Sequence, residues 1–416
     1  MVQSLVFLTR DQAFEVREKI GTPAYVYDER SLKRYAASAL RFPNAFGLTV
    51  RYAMKASPNA SLLRIFDRAG LSIDASSAFE CERAMKAGIA ADKISLSTQE
   101  LPRDFGGLIE RGVTLNACSL DQLKRFGEQF PGARVGMRFN PGIGSGGTRK
   151  TNVGGPSSSF GIWHEYIGHV KELAEKFGLE IFRIHTHIGS GSDPEVWQRT
   201  AHLSLNMVRE FPSVRTLNLG GGYKVARMPD EKTTDLTMIG SPVCEAFEAF
   251  YHETGRKIRL EIEPGTYLVA NACSLLTTVQ DIVDTGAQGH RFLKLDTGMT
   301  EILRPSLYGA QHPLVLLSQT VGGEEFEYVV VGHCCESGDL ITPAPDQPDV
   351  VDARRLPEAR VGDLCVIEGA GAYCSSMAAK NYNSFPEAPE VLLAESGETS
   401  VIRRRQTLEQ MIQNEG

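Results

Sequence analysis

The chain has 416 residues, 42% of them hydrophobic and 23% charged, enough for one large folded domain and a smaller companion, which excludes disorder as a whole. Its formal net charge of −7, with Arg403-Arg404-Arg405 as the one concentrated basic run, argues against nucleic acid as a partner. No apolar run reaches the length of a membrane span, and Met1 to Arg10 lacks the pattern of a secretory signal; eight cysteines without a C-x-x-C spacing fit reduced thiols in the cytoplasm rather than a disulfide framework or zinc site.

The first strand-like stretch is Ala24-Tyr25-Val26-Tyr27. From roughly residue 45 to 265, eight short apolar or β-branched runs then alternate with helix-like segments: Gly47 to Met54, Leu71 to Ala75, Lys93 to Ser97, Val113 to Cys118, Arg134 to Phe139, Phe182 to His187, Thr216 to Leu219 and Ile258 to Glu263. Segments such as Ala78 to Gly88, rich in alanine and glutamate and closed by glycine, read as the intervening helices. Eight βα units predict a (β/α)8 TIM barrel, placed at residues 31–285, with a doubly wound open sheet as the alternative on alternation alone. Beyond about residue 285, short strands separated by Gly, Pro and Asp, as in Phe326 to Val331, Leu364 to Glu368 and Glu390 to Leu393, predict an antiparallel β domain over 286–416 that also takes in residues 1–30. The Gly/Ser/Thr-rich stretch Pro141 to Gly161 follows a strand end, the place of a mobile active-site cover.

A barrel of this kind carries its active site at the C-terminal ends of its strands. Those ends hold Lys55, Asp74, Ser97, Asn116, Arg138, His187, Gly220-Gly221-Gly222 and Glu263. Lys55, in Tyr52-Ala53-Met54-Lys55-Ala56, can form a Schiff base with an aldehyde cofactor such as pyridoxal phosphate once its amine is desolvated; a surface lysine is the ordinary alternative. Three successive glycines after an apolar run let backbone N–H groups approach a phosphate, although a tight turn would look the same. Glu263, in Glu263-Pro264-Gly265, is placed to hold a pyridine nitrogen protonated, and His187 to lie flat against such a ring. His185 and His187 form a His-x-His pair, but no third ligand stands at suitable spacing, so no metal is expected. In the C-terminal region Arg304, Tyr308, Cys335, Ser337 and Tyr373 sit in turn-rich runs that suit carboxylate binding, hydrogen bonding and proton donation.

The order and wording of these motifs resemble the fold type III pyridoxal-phosphate-dependent decarboxylases over nearly the whole chain. The carriers are Tyr52 to Ala56, His187-Ile188-Gly189-Ser190, Gly220 to Gly222, Glu263-Pro264-Gly265, Arg304-Pro305, Leu307-Tyr308-Gly309 and Cys335-Glu336-Ser337-Gly338-Asp339. The resemblance implies an alanine-racemase-like barrel and pyridoxal 5′-phosphate as cofactor. It implies that Lys55 carries the cofactor, His187 stacks on the ring, Glu263 meets the ring nitrogen, and Ser190, Gly220, Gly221, Gly222, Gly265 and Tyr373 surround the phosphate, with Asp74 and Arg138 as further cofactor contacts. It also implies a homodimer in which Cys335 reaches the partner's site to protonate the intermediate, while Arg304, Tyr308, Glu336, Ser337 and Tyr373 bind substrate. The implied reaction is decarboxylation of meso-2,6-diaminopimelate to L-lysine.

One position departs from the pattern. The family follows Glu-Pro-Gly with arginine, whereas Thr266 follows Gly265 here; Arg149, Lys150, Lys224 and Arg227 are the loop cations available to replace it. That departure keeps open decarboxylation of ornithine, lysine, arginine or carboxynorspermidine. A racemase is disfavoured by the acidic Glu263, and a non-catalytic cofactor carrier by the long C-terminal region.

Overall fold

A computed structural model describes residues 4–142, 154–187, 189, 191–318 and 324–416. Ser190, Arg149, Lys150 and most of the expected cover at 141–161 lie outside the described residues. The chain forms two compact units: Lys33–Lys224 with Lys232–Leu268, and Met1–Leu32 with Val225–Glu231 and Val269–Gly416.

Strand β1 (Ala24–Asp28) belongs to the second unit, and the barrel of the first begins with β2 (Leu48–Ala53). It continues through β3 (Ser72–Ala75), β4 (Ile94–Leu96), β5 (Thr114–Ala117) and β6 (Arg134–Asn140), which carries the short β7 (Ile162–Trp163). The remaining staves are β8 (Glu180–Thr186), β9 (Thr216–Asn218) and β10 (Arg259–Ile262). Each stave pairs in parallel with the next, and β10 returns to β2 in the register Leu260↔Leu48, so the eight close into a ring. The expected barrel is therefore present, and the open sheet is excluded.

Local chemistry explains the helices between the staves. Ser77, Ser119 and Asp235 cap the helices Ala78–Lys86, Leu120–Gln129 and Leu236–Thr254, each side chain accepting from a first-turn backbone N–H that would otherwise be unpaired. On Ala60–Arg68 the residues Leu62, Leu63, Ile65 and Phe66 form one buried face, and Phe66 packs on Tyr52 of β2 with ring centroids 4.5 Å apart. Burying such a phenylalanine contributes about 1.5–3 kcal/mol.

The second unit continues with β11 (Cys273–Asp284), β12 (Arg291–Leu295), β13 (Leu314–Leu317), β14 (Glu325–Val331), β15 (Pro343–Ala344), β16 (Gln347–Val351), β17 (Arg354–Pro357), β18 (Leu364–Ile367), β19 (Glu390–Leu393) and β20 (Thr399–Arg403). Its large sheet is mixed, which corrects the antiparallel expectation: β1 runs parallel to β19 and β12 parallel to β14, while β1–β11, β11–β18, β14–β17 and β19–β20 are antiparallel. Parallel neighbours need a long connection rather than a hairpin, and β12 and β14 are far enough apart in sequence, Leu295 to Glu325, to allow one. The strand β11, on the barrel side of the boundary expected at 285, is held in the second unit because it pairs with β1 and β18. Val26, Leu276, Leu364, Val366 and Val391 form the core there, closed by Ala13 and Val16 of the helix Arg10–Ile20. No helix among the described residues is long and apolar enough to cross a membrane.

Candidate active site

Most barrels of this architecture fill their interior with branched apolar side chains. This one is polar. Successive inward positions on a strand are two residues apart, so Ser95 and Ser97, Arg183 and His185, and Glu261 and Glu263 stack along the interior as ladders. Arg51 and Arg183 both meet Glu261, through Arg51 Nη2–Oε1 at 3.1 Å and Arg183 Nε–Oε2 at 3.0 Å. Arg183 Nη1 donates to Ser95 Oγ at 3.1 Å, and Asn116 Nδ2 donates to Ser95 Oγ at 3.1 Å and Ser97 Oγ at 2.9 Å. Gly136 is required beside Asn116, since a Cβ there would lie 2.1 Å from Asn116 Oδ1. One layer higher, Ser97 Oγ is 3.4 Å from His185 Nδ1, and His185 Nε2 is 3.3 Å from Glu263 Oε2.

Glu263 is the terminus of this network. Asn218 Nδ2 donates to its Oε1 at 2.6 Å, and Asn218 Oδ1 accepts from the N–H of Gly220 at 2.8 Å. Burial opposes ionisation of Glu263, but the N–H donors of His185 and Asn218 favour the carboxylate and hold it below the usual range. His185 is itself kept neutral, burial pushing its pKa down against the pull of Glu263. A neutral ring with hydrogen on Nε2 is the tautomer that fits a carboxylate on one side and the Ser97 hydroxyl on the other. His187 is pushed down further, by burial and then by the charges of Arg138 and Lys55, and Asp74 is pushed well up, by burial and then by the like charge of Glu263.

Lys55 lies in a one-turn helix, Met54–Ala56, directly after β2, between the fully buried Met54 and Ala56. It lines a cavity of about 400 Å³ together with Ser76, Ser77, Ser97, Cys118, Arg138 and Phe160. These residues come from the C-terminal ends of β2 to β6 and from the segment entering β7, and the Arg138 guanidinium lies 5.2 Å over the Phe160 ring. Asn140 ties the base of the neighbouring loop, its Oδ1 accepting from Gly142 N at 3.1 Å and Gly155 N at 2.9 Å. The barrel thus brings Lys55, Asp74, Arg138, His187, Gly220 to Gly222 and Glu263 to one end.

The other expected residues, Arg304, Tyr308, Cys335, Glu336, Ser337 and Tyr373, belong to the second unit. Arg304 and Tyr308 occupy the ends of the one-turn helix Arg304–Tyr308, with the guanidinium 5.9 Å over the tyrosine ring. Cys335 is an exposed thiol whose backbone N–H donates to Asn383 Oδ1 at 2.8 Å. Glu336 Oε1 accepts from Gly338 N at 3.1 Å, and its Oε2 accepts from Tyr382 at 3.4 Å. Tyr373 adopts a left-handed backbone with φ 56° between the buried Ala372 and Cys374. Among the described residues no group of three or more His, Cys, Asp and Glu is arranged to hold a metal.

The family described as "Pyridoxal-dependent decarboxylase, pyridoxal binding domain" matches residues 32–270. The chain belongs to the pyridoxal-dependent decarboxylases. A protein of Escherichia coli strain K12 named diaminopimelate decarboxylase is 34% identical over 97% of this chain and 96% of its own length. A crystal structure titled diaminopimelate decarboxylase superposes with a TM-score of 0.91 at 32% identity, covering 99% of each chain. The Helicobacter pylori diaminopimelate decarboxylase, solved in complex with L-lysine, superposes with a TM-score of 0.83 at 29% identity, over 96% of this chain and 98% of that one.

The residues of this decarboxylase fit a pyridoxal phosphate. Asp74 Oδ1 and His187 Nδ1 are buried without a hydrogen-bond partner among the described residues. The glycine run is bare backbone packed as closely as it can be: a Cβ on Gly220 would lie 2.5 Å from His187 Nδ1, and one on Gly221 2.2 Å from the Glu263 carbonyl. Asn218, His185 and the Arg51–Glu261–Arg183 group were not singled out as site residues from the sequence, although the spacing of two between polar residues in "RIHTH" and "LEIEP" carries the signal.

Proposed function

We propose that this decarboxylase removes one carboxylate of meso-2,6-diaminopimelate as carbon dioxide and releases L-lysine, with pyridoxal 5′-phosphate as cofactor. The observation that carries the reading is Lys55 at the C-terminal end of β2, in the same ring of strand ends as a carboxylate, Glu263, that the barrel keeps ionised. When bound, the cofactor supplies an electron-poor ring that accepts the electron pair left by the departing carboxylate. Lys55 would hold the cofactor covalently through its side-chain amine. Glu263, oriented by Asn218 and His185, would keep a proton on the ring nitrogen, and His187 would pack against the ring. Gly220, Gly221, Gly222, Gly265, Ser190 and Tyr373 are assigned to the phosphate, with Asp74 and Arg138 as further cofactor contacts. Arg304, Tyr308, Glu336, Ser337 and Tyr373 are assigned to the substrate.

The protein is further proposed to be a cytoplasmic homodimer in which Cys335 donates the proton that replaces carbon dioxide in the partner's site. The exposure of Cys335, on a segment anchored by Asn383, supports that role. Decarboxylation of ornithine or another basic amino acid is not favoured, since relatives matched along nearly the whole chain carry the diaminopimelate name. The test is carbon dioxide release by the purified holoenzyme across meso-diaminopimelate, ornithine, lysine and arginine. Preference for meso-diaminopimelate is expected, and preference for ornithine would overturn the substrate while leaving the cofactor chemistry intact.

A further inference from the structure

The family resemblance leads one to expect an arginine where Thr266 follows Gly265, and the structure separates the cations available in its place. Arg149 and Lys150 lie outside the described residues. Lys224 is exposed on the barrel unit, with its backbone N–H donating to Thr234 Oγ1 at 2.9 Å. Arg227 belongs instead to the second unit, as does Arg304.

The backbone at Glu368 and Gly369 forms a shelf on which a cationic cluster is built. Arg227 Nε donates to the Gly369 carbonyl at 3.0 Å, and His312 Nδ1 donates to the adjacent Glu368 carbonyl at 2.9 Å. Gly369 has φ +70°, and a Cβ there would lie 3.0 Å from Arg227 Cδ, so the guanidinium stem rests directly on the glycine. Arg227 Nη2, Arg304 Nε and His312 Nε2 are all buried, and none has a hydrogen-bond partner among the described residues. Burial and then the neighbouring Arg304 push Arg227 down to about 9, which leaves it charged at neutral pH. His312 is pushed well below its usual range by burial and then by Arg227 and Arg304, so it is neutral, with its proton on Nδ1.

Two like charges brought together with spare, desolvated donors are unfavourable until an oxyanion takes up both. The planar fork of each guanidinium matches a carboxylate better than a single-point donor would. We propose that Arg227 and Arg304 form a paired clamp for the substrate carboxylate remote from the reacting carbon, a role that rests on the diaminopimelate reading above. Arg227 thereby supplies, from a different segment of the chain, a cation that Thr266 does not.

L-Lysine keeps the remote carboxylate and cadaverine has none, so the pair separates carboxylate recognition from every other contact. In the holoenzyme, Arg227→Met is expected to weaken L-lysine binding by about 10- to 100-fold and to raise KM for meso-diaminopimelate similarly. Cadaverine affinity and the cofactor absorbance should stay as in the unaltered protein, and Arg227→Lys should recover part of the loss. A second measurement needs no variant: L-lysine, by neutralising the two cations, should raise the pKa of His312 followed by NMR, and cadaverine should not. Unchanged L-lysine affinity in R227M, equal losses for L-lysine and cadaverine, loss of the cofactor, or an unmoved His312 would each overturn the clamp. Carbon dioxide release by the unaltered enzyme is independent of all four, so the clamp can fail while the reaction stands.

Discussion

Replacing Glu261 by glutamine tests whether the polar interior holds the barrel together. The Glu261 carboxylate takes Arg51 through contacts of 3.1 and 3.2 Å and Arg183 through contacts of 3.0 and 3.2 Å. The three side chains are only 4–7% exposed. The variant keeps the shape of the side chain and removes its charge, which strands two guanidinium groups away from water. Breaking a buried ion pair by losing one partner costs about 3–5 kcal/mol. Set against a typical total of about 5–15 kcal/mol, that is a large fraction. Burial has already pushed Arg183 down to about 10, a sign of how little solvent offsets its charge. The assay is urea unfolding, with amide hydrogen exchange of β2, β8 and β10 to locate the loss. The double variant E261Q/R183M, which removes one stranded charge, should recover part of the stability. If E261Q unfolds within about 1 kcal/mol of the unaltered protein, the interior charges do not contribute as described.

Glu301 gives a pH signature. Burial pushes its carboxyl from 4.5 up to about 7, so the folded state holds a proton that the unfolded state releases across that window. Stability from this group is complete below about 4.5 and lost as pH rises through about 7; 2.5 units at 1.36 kcal/mol each make about 3 kcal/mol. The nearby His333, pushed down to about 4 by burial, has the opposite slope, so E301Q should leave stability rising between pH 4 and 6.5, measured by denaturation midpoints. Lys55→Ala should abolish both the absorbance of the covalently held cofactor and turnover; retention of both would remove Lys55 from the site. Mixing Lys55→Ala chains with Cys335→Ala chains should restore up to about a quarter of the activity if sites are shared across a dimer, because half the dimers are then mixed and each has one intact site. No recovery on mixing would place Cys335 in its own chain's site.

The barrel was legible because its staves are short apolar runs separated by capped helices, and because polar residues gather where the runs end. Lys55, His187, Gly220 to Gly222 and Glu263 could all be assigned to that end from the sequence, and the structure places them there. What escaped depends on partners distant in sequence. Nothing local in Tyr25-Val26-Tyr27 says that the strand runs parallel to Val391-Leu392 on one side and antiparallel to Ser274-Leu275 on the other. Asn218 and His185 looked like ordinary strand residues, and only closure of the ring brings both onto Glu263. The meeting of Arg227 with the Gly369 carbonyl, 142 positions away, is equally invisible to periodicity.

The parallel pairing of β1 with β19 sets an order of events during synthesis. Tyr25 finds its partner at Glu390, 365 residues later, whereas every stave of the barrel is complete by Ile262. At the usual elongation rates of about 5–20 residues per second, the first strand waits roughly 20–70 s for its neighbour. The barrel therefore has time to form around Lys55 while the N-terminal strand remains without β19. In a growing chain Lys55 is framed first, and the sheet that joins β1 to β19 closes last.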